Sequence, residues 1–466
     1  MNRATGEPAL SGCRAIIVAA PASNSGKTVV ATGLMGALRN SGRRVAPFKV
    51  GPDFIDPGYH AIATGVPGRN LDSVLVGDDL IGPLFLSGSQ GAALAVGEGV
   101  MGLFVGRVGE PMVTPARGST AQVAKLLDAP VLLVVDARSQ SQSIGALVQG
   151  FSTFQHGVRI GGVVLNKVGS TRHEHVLRQA CEAVGVPVLG ALPRRDELMV
   201  PSRHLGLVTA TEHGRQASEA VAAMASLIAQ HIDLAAVVEM AACGIRDHPW
   251  SPEIVGDPVG SGPVVAVASG SAFTFGYAEH GELLRAAGAQ VVEFDPLADV
   301  LPERTAAVVL PGGFPEQYLP QLSANTPLIE QMRTLPPGVP VHAECGGLVY
   351  LMDDLDGHPL CGTIGGSARF TDRLTLGYRD AVAVADSALY AAGERVVGHE
   401  FHRTEVEFFG NSESAWAFQR HGGPPVRDGV VRAGIHASYL HTHPAARPDA
   451  IARFVGRAAA AAAATL

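Results

Sequence analysis

Short apolar runs alternate with helical segments along most of the chain, and this rhythm constrains the fold more than any other feature. Five runs in the first half are rich in Val, Ile and Leu on both faces, as the strands of a buried parallel sheet are. They span residues 14–20, 43–50, 92–98, 130–136 and 160–167. Helical patterns lie between several of them, for example at 28–40 and 172–184. This alternation is typical of a doubly wound α/β sheet.

A segment rich in Pro, Gly and Asp, residues 247–263, interrupts the rhythm and is predicted to be a linker. Beyond it the apolar runs resume at residues 264–270, 289–294, 306–313 and 339–345. The chain has 466 residues, too many for one hydrophobic core. We therefore predict an α/β protein of two tandem doubly wound domains, residues 1–246 and 264–466.

Composition excludes several classes of function. Hydrophobic residues make up 47% of the chain and charged residues only 17%, against a usual charged share of about 25%, so large cores are expected. The net charge of −8 and the absence of a Lys/Arg-rich run argue against nucleic-acid binding. No apolar stretch reaches the ~18 residues that span a bilayer. Five dispersed cysteines without a CxxC pair favour neither a zinc site nor a disulfide framework, and we expect a reducing cytoplasm.

A phosphate-binding loop is predicted at residues 21–28, "PASNSGKT". Ser25, Gly26, Lys27 and Thr28 stand directly between an apolar strand and a helix, which is the context this motif requires. Backbone N–H groups there can cradle phosphate oxygens, while Lys27 reaches the β- and γ-phosphates and Thr28 ligates Mg²⁺. Pro21 replaces the first glycine of the usual pattern. We predict ATP as the ligand.

Charged residues follow two further strands of the same predicted sheet. Lys49 stands at the end of the run at 43–50, Asp53 and Asp56 follow that run, and Glu98 closes the run at 92–98. Ligands bind beyond the carboxyl ends of such strands, and an acid there can complete a Mg²⁺ shell. One acid alone is more simply a solvated loop charge. Because several strand ends converge with the phosphate loop, we predict that acids at these strand ends help Thr28 to hold Mg²⁺.

Asn166 stands at the end of the run at 160–167 and can contact the adenine edge. Its alternative role, an Asx turn, is almost equally supported by the residues alone.

A second predicted centre lies at residues 341–351, "VHAECGGLVYL". Cys345 stands between an apolar strand and a glycine-rich helix start, which would present its thiol on a sharp turn. A base or a helix N-terminus favours the thiolate that makes such a cysteine nucleophilic. A buried, inert cysteine is the alternative.

The base for this thiol is predicted to be a histidine that the fold brings close. His441 in "ASYLHTHP" follows an apolar run and is preferred, whereas His399 and His402 in "GHEFHRTE" are competitors. The oxyanion of an acyl-transfer step also needs N–H donors. Gly313 in "LPGGF" and Gly346 beside the cysteine are predicted to supply them.

Seven segments together resemble the cobyrinic acid a,c-diamide synthases of cobalamin biosynthesis. They are "APASNSGKT", "FKVGPDFIDPGYH", "GEGVMGL", "LPGGFPEQYL", "AECGGLVYL", "GHEFHRTE" and "SYLHTH", and their order and spacing agree from about residue 14 to 445. The resemblance implies an N-terminal P-loop domain similar to dethiobiotin synthetase and a C-terminal class I, triad-type glutamine amidotransferase domain. Lys27, Thr28, Lys49, Asp53 and Glu98 fall on the family's nucleotide and metal positions, and Asn166 falls on its adenine position.

The resemblance also implies the reaction. Cys345 with His441 would release ammonia from L-glutamine, and ATP–Mg²⁺ would activate the a and c acetate carboxylates of a corrinoid acid. Hydrogenobyrinic acid is the expected substrate, cobalt-containing cobyrinic acid the alternative, and a homodimer is left open. A different class, a P-loop nucleotide-switch binding protein, would not need the cysteine turn.

Two positions depart from the family pattern. Val105 stands where the family carries an acid after its "GLF/Y" segment. Triad-type amidotransferases have an acid two residues after the histidine, and His443 occupies that place here. Glu400 is an alternative source of the missing carboxylate.

Overall fold

The computed structural model describes residues 14–109, 115–194, 202–203, 206–207, 211, 214–260, 262–410, 412–420 and 423–465. The chain divides into two compact units. The first comprises Met1–Ser73, Asp78–Leu207 and Arg215–Trp250, and the second comprises Val74–Gly77, Val208–Gly214 and Ser251–Leu466. The predicted domain limits at 246 and 264 stay predictions.

The first unit is built on a parallel sheet with helices along the connections. Its strands are β1 Arg14–Ala19, β2 Val45–Val50, β3 Arg69–Leu71, β4 Leu94–Glu98, β5 Val131–Asp136, β6 Ile160–Val168, β7 Val188–Pro193, β8 Ser202–Arg203 and β9 Gly206–Leu207. Its helices, with the connecting α3, are α1 Lys27–Asn40, α2 Asp56–Thr64, α3 Ser73–Val76, α4 Asp78–Gly88, α5 Thr120–Leu126, α6 Ser143–Thr153, α7 Thr171–Glu182, α8 Arg215–His231 and α9 Leu234–Met240.

Within the described residues the main sheet has the order β3-β2-β4-β1-β5-β6-β7. All its pairings are parallel, and the strands are almost wholly buried because helices cover them. Register places Glu98 beside both Val18 and Lys49. The carboxyl ends of β1, β2 and β4 therefore meet at one edge, where the loop before α1 begins.

The second unit contains two sheets. Its strands are β10 Val264–Ala268, β11 Gln290–Phe294, β12 Thr305–Leu310, β13 Val341–Glu344, β14 Asp354–Leu355, β15 His358–Pro359, β16 Gly366–Ala383, β17 Arg395–Phe408, β18 Trp416–Gln419, β19 Pro425–Asp428, β20 Val430–Arg432, β21 Ile435–Ser438 and β22 His441–Thr442. Its helices are α10 Ala278–Ala286, α11 Leu319–Ala324, α12 Thr326–Arg333, α13 Gly346–Leu351 and α14 Pro448–Thr465, with 3₁₀ turns at Pro252–Val255, Pro315–Gln317 and Pro444–Ala446.

The first of these sheets has the order β11-β10-β12-β13-β21-β20 and is parallel except at its β20 edge. The second is dominated by the long antiparallel pair of β16 and β17, and β22 adds to β17. The α/β class with two doubly wound domains is confirmed. The second sheet of this unit lies outside the sequence prediction, because its half-exposed strands carry mixed polar and apolar residues instead of buried Val/Ile/Leu runs.

Candidate functional site

The predicted phosphate loop joins β1 to α1 in the first unit. Gly26 caps α1 with a φ of 94°, a left-handed conformation that favours glycine. Ser25 Oγ donates to the Ala22 carbonyl at 2.9 Å, and Lys27 Nζ donates to the same oxygen at 3.4 Å. Burial, with the nearby Lys49 charge, lowers the pKa of Lys27 from its ordinary value. The ammonium group is thus folded over the loop, where an anion would meet it.

Asn166 lies against the outer side of this loop. Its Nδ2 donates to the Ser25 carbonyl at 2.9 Å, and its Oδ1 accepts from the Lys167 N–H at 2.9 Å. A Cβ on Gly26 would lie 2.2 Å from Asn166 Nδ2, so this contact requires glycine. The amide supports the loop in this state, and its predicted adenine contact stays a prediction.

Glu98 is the centre of a buried polar cluster beside the loop. Its Oε1 accepts from Thr28 Oγ1 at 2.7 Å and lies 3.3 Å from Lys49 Nζ. Its Oε2 lies 2.7 Å from His60 Nε2. Burial opposes ionisation of Glu98, but Lys49 and the hydrogen bonds from His60 and Thr28 hold its pKa well below the usual range. The carboxylate is therefore anionic and held in position from both of its oxygens.

Lys49 links Glu98 to two further acids. Its ammonium group is hydrogen-bonded to Asp56 and lies 3.6 Å from Asp53 Oδ2. Burial opposes the charge on Lys49, but Asp56 and Glu98 raise its pKa above the ordinary value. Asp53 Oδ1 accepts from the Ile55 and Asp56 N–H groups at 2.8 and 3.1 Å, which starts α2.

The oxygen groups of this cluster fit Mg²⁺ bound together with phosphates. Thr28 supplies a hydroxyl, and Asp53 and Glu98 supply carboxylates, which are the hard ligands that Mg²⁺ prefers. Among the described residues, no group of three His, Cys, Asp or Glu side chains forms a ready-made metal site. An Mg²⁺ ion held by one or two carboxylates would complete its shell with phosphate and water oxygens.

Cys345 lies at a sharp turn in the second unit, between β13 and α13. Its φ of 50° and ψ of −104° are unusual for a residue with a side chain. Its N–H donates to the Ser438 carbonyl at 2.7 Å, which ties the turn to the neighbouring β21. Such strain at one residue of a well-packed corner is typical of a functional site.

His441 meets Cys345 across Gly312. A Cβ on Gly312 would lie 2.4 Å from His441 Cε1, 3.2 Å from His441 Nε2 and 3.3 Å from Cys345 Cβ. The imidazole and the Cys345 Cβ therefore lie on the face of a residue that has no side chain, while Cys345 Sγ donates to the Phe401 carbonyl at 3.7 Å. His441 begins the short strand β22 of the second sheet, not the end of β21 as the apolar run before it predicted.

The competing histidines are engaged elsewhere. His402 stacks on Tyr439 with 3.7 Å between ring centroids, and its Nδ1 bonds to the Thr404 carbonyl at 2.8 Å. His399 pairs in register with His441, and burial, with the neighbouring His441, lowers its pKa to about 3. The geometry thus favours His441 as the partner of the thiol.

The thiol needs this partner because its surroundings oppose the thiolate. Burial, followed by the Glu316 charge, raises the pKa of Cys345 well above its ordinary value. The hydrogen bond from the Gly346 backbone, at the start of α13, acts to lower the pKa of Cys345, but burial is the larger effect. A base must therefore take the proton as the thiol reacts.

The predicted oxyanion donors lie beside the thiol. A Cβ on Gly346 would lie 3.0 Å from the Gly313 nitrogen, so the two backbone amides are neighbours. Two adjacent N–H groups next to a nucleophile can stabilise a developing oxyanion. Their roles stay predictions.

Three functional candidates escaped the sequence prediction. His60 holds Glu98, Gly312 makes room for His441, and Glu344 lies 3.6 Å from His441 Nδ1 through its Oε2. Glu400, the alternative acid considered for the base, is instead bound by Arg379 and Arg420. Glu344 is visible in the sequence as the residue before the cysteine, but its nearness to His441 depends on the pairing of β13 with β21, which sets Ser438 beside Glu344.

Gly312→Ala is expected to lower glutamine hydrolysis about 10²-fold, because a displacement of ~1 Å at a reacting pair can cost that much. The added methyl would overlap the His441 ring. Released glutamate measures the effect. Gly456→Ala is the matched control, since a Cβ there meets nothing within 4 Å. Equal activity of the two variants would show that His441 does not work from this position.

Two family models match the chain, one in each half. Residues 16–208 match the family model described as the CobQ/CobB/MinD/ParA nucleotide binding domain. Residues 264–449 match the model described as the CobB/CobQ-like glutamine amidotransferase domain.

Curated relatives match over nearly the whole chain. A hydrogenobyrinate a,c-diamide synthase of Mycobacterium tuberculosis is 64% identical over 447 residues, covering 96% of this chain and 98% of the relative. Its counterpart in Streptomyces coelicolor is 53% identical over 477 residues, covering 95% and 97%. A cobyrinate a,c-diamide synthase of Synechococcus is 37% identical over 451 residues, with coverage of 95% and 97%.

Proposed function

The chain belongs to the family of the hydrogenobyrinate and cobyrinate a,c-diamide synthases, and from this premise we propose that it amidates the a and c carboxylates of hydrogenobyrinic acid. It is a glutamine-hydrolysing carbon–nitrogen ligase that uses ATP as cosubstrate. Full-length identity of 64% to a relative of that name carries the proposal. The turn at Cys345 argues against a nucleotide-switch protein, which has no use for a nucleophile.

The second unit supplies ammonia. Cys345 Sγ attacks the amide carbon of glutamine while His441 accepts the thiol proton. The N–H groups of Gly313 and Gly346 bind the oxyanion that forms. When the intermediate collapses, the C–N bond breaks, His441 returns its proton to the nitrogen, and ammonia leaves. Water then hydrolyses the thioester and releases glutamate.

The first unit activates the acid. A carboxylate oxygen of the substrate attacks the γ-phosphorus of ATP, ADP leaves, and an acyl phosphate forms. Ammonia attacks the acyl carbon, and phosphate departs with the former carboxylate oxygen. Lys27 and Lys49 contribute positive charge where phosphoryl charge develops, because catalysis of this step is mostly positioning and electrostatics. Asn166 supports the loop that holds the phosphates.

Thr28, Asp53 and Glu98 are the residues that would hold Mg²⁺. A bound Mg²⁺ neutralises phosphate charge. Thr28 and Glu98 are already hydrogen-bonded to each other at 2.7 Å, so the protein brings these two ligand groups together in advance.

Membrane association, oligomeric state and cellular location complete the prediction. None of the helices in the described part of the chain combines the length and the apolar character that a bilayer span requires. A homodimer and a cytoplasmic location stay predictions.

The choice between a metal-free and a cobalt-containing substrate is a separate part of the proposal. Relatives named for hydrogenobyrinate reach 64%, 53%, 50% and 38% identity, whereas those named for cobyrinate reach 37% and 39%. We expect kcat/KM to be higher for metal-free hydrogenobyrinic acid than for cobyrinic acid. Purified enzyme with ATP, Mg²⁺ and glutamine, given each acid separately, measures this as diamide formed. Preference for cobyrinic acid would contradict the substrate assignment but not the ligase chemistry.

A further inference from the structure

Glu344 is the last residue of β13 and directly precedes the nucleophile. Its Oε1 accepts from the Thr442 N–H at 3.1 Å and from Thr442 Oγ1 at 3.0 Å. His342 Nε2 lies 3.4 Å from the same oxygen. These contacts anchor one carboxylate oxygen and leave the other, Oε2, facing His441 Nδ1 at 3.6 Å.

A histidine that accepts a proton at Nε2 must carry its own proton at Nδ1, and that N–H needs an acceptor. The imidazolium formed after proton transfer also needs a nearby negative charge. Glu344 meets both needs in this site. The distance of 3.6 Å is longer than a hydrogen bond, and contacts of this kind often tighten only when substrate is bound.

The carboxylate is ionised although it is buried. Burial opposes its charge, but the interactions with His342 and His441 hold the pKa of Glu344 well below the usual range. The histidines behind it stay neutral: burial, with His342 nearby, lowers the pKa of His280 to about 4 and that of His436 to about 3. Glu344 is therefore an anion 3.6 Å from His441 Nδ1, where it can stabilise the imidazolium that forms when His441 takes the thiol proton.

The position that usually supplies this acid has another task here. His443, two residues after the base, accepts from the Ala445 N–H through Nδ1 at 3.3 Å and so caps the turn Pro444–Ala446. Its ring packs on Tyr277 with 4.2 Å between centroids. It faces a structural turn and carries no negative charge.

We propose that Glu344 is the positioning acid of His441, supplied from the residue before the nucleophile instead of from the residue two places after the base. The inference rests on the proposed glutamine hydrolysis at Cys345 and adds the residue that orients its base. One short segment, Glu344–Cys345, then carries both the nucleophile and the group that aligns the base toward it.

Glu344→Gln keeps the shape of the side chain and removes its charge. It is expected to lower kcat for glutamine hydrolysis by at least about 10²-fold, less than the roughly 10⁴-fold effect of changing the orienting acid in a serine-protease triad. KM for glutamine should stay near the parental value, because Glu344 acts through His441. Glu344→Asp should recover part of kcat. Glu405→Gln, which changes a partly exposed acid of the same unit that pairs with Arg369, is the matched control.

The tautomer of His441 gives an independent readout. In ¹⁵N NMR spectra the parental enzyme should show His441 protonated at Nδ1, and Glu344→Gln should shift the proton toward Nε2. The His441 signals are assigned by their loss in His441→Gln. A merely structural role of Glu344 would not produce this exchange of tautomers.

Diamide synthesis with ammonium salts distinguishes a failure of the Glu344 proposal from a failure of the proposed function. Retained ammonium-driven synthesis in Glu344→Gln, with lost glutaminase, supports the proposal. Parental glutaminase in this variant would overturn the role of Glu344 alone. Equal loss of both activities, without recovery in Glu344→Asp, would also overturn it and indicate a folding role. A parental enzyme that releases no glutamate would overturn the proposed function itself.

Discussion

Cys345→Ser is expected to abolish glutamine-dependent diamide synthesis and to leave ammonium-dependent synthesis near the parental rate. The hydroxyl is a far weaker nucleophile than the thiolate, and only the ammonia-releasing half of the reaction needs it. The burial that already opposes ionisation of Cys345 would oppose it more strongly for a serine. Glutamate release and diamide formation are measured in parallel, with glutamine and with an ammonium salt as nitrogen source.

The control for this change is Cys243→Ser, which alters a half-buried cysteine of the first unit. It should leave both nitrogen sources usable. If Cys345→Ser still forms diamide with glutamine, another residue is the nucleophile. If it loses ammonium-driven synthesis as well, the thiol has a role in the whole fold that the proposed mechanism does not include.

Lys27→Ala is expected to produce the opposite pattern. Synthesis should fall by at least about 10²-fold with either nitrogen source, the usual cost of removing one stabilising group from a charged transition state. Lys27 is the cation that the phosphate loop holds over its own Ala22 carbonyl, and no acyl phosphate forms efficiently without positive charge on the phosphoryl group. Glutamine hydrolysis by Cys345 should persist, because its residues lie in the other unit of the chain.

Lys125→Ala, which changes an exposed lysine at the end of α5, is the matched control and should retain both activities. Glutamate release is followed beside ADP and diamide formation. Ammonium-driven synthesis at the parental rate in Lys27→Ala would show that the phosphate loop does not activate the carboxylate. Together, Lys27→Ala and Cys345→Ser test whether the chain has two separate chemical centres or one composite site.

Local sequence predicted the two centres where the chemistry lies in a short segment. The phosphate loop needs Gly26, Lys27 and Thr28 in succession between a strand and a helix, so chain order alone identifies it. Cys345 is likewise marked by the strand before it and the glycines after it. The strands that hold these segments are buried on both faces, and their Val/Ile/Leu runs can therefore be recognised from the sequence alone.

Charged contacts over long chain separations were predicted less well. His60 and Glu98 are 38 residues apart, and they meet because α2 packs beside the edge of the sheet where β4 ends. The sequence around His60 contains no spacing that indicates such a contact. Asn166 was placed at the correct strand end, but its hydrogen bonds to the loop depend on the register between β5 and β6.

The sequence by itself therefore determined the α/β class, the two-domain order, the loop at Gly26–Thr28 and the turn at Cys345, because each depends on neighbouring residues or on a period of apolar side chains. Only the tertiary structure decided which acid faces His441. Sequence spacing from the base points to His443, whereas the pairing of β13 with β21 sets Ser438 beside Glu344 and so brings His441 within 3.6 Å of that carboxylate, 97 positions earlier in the chain. The physical reason is that electrostatic partners are selected by distance in space, and strand pairing sets that distance.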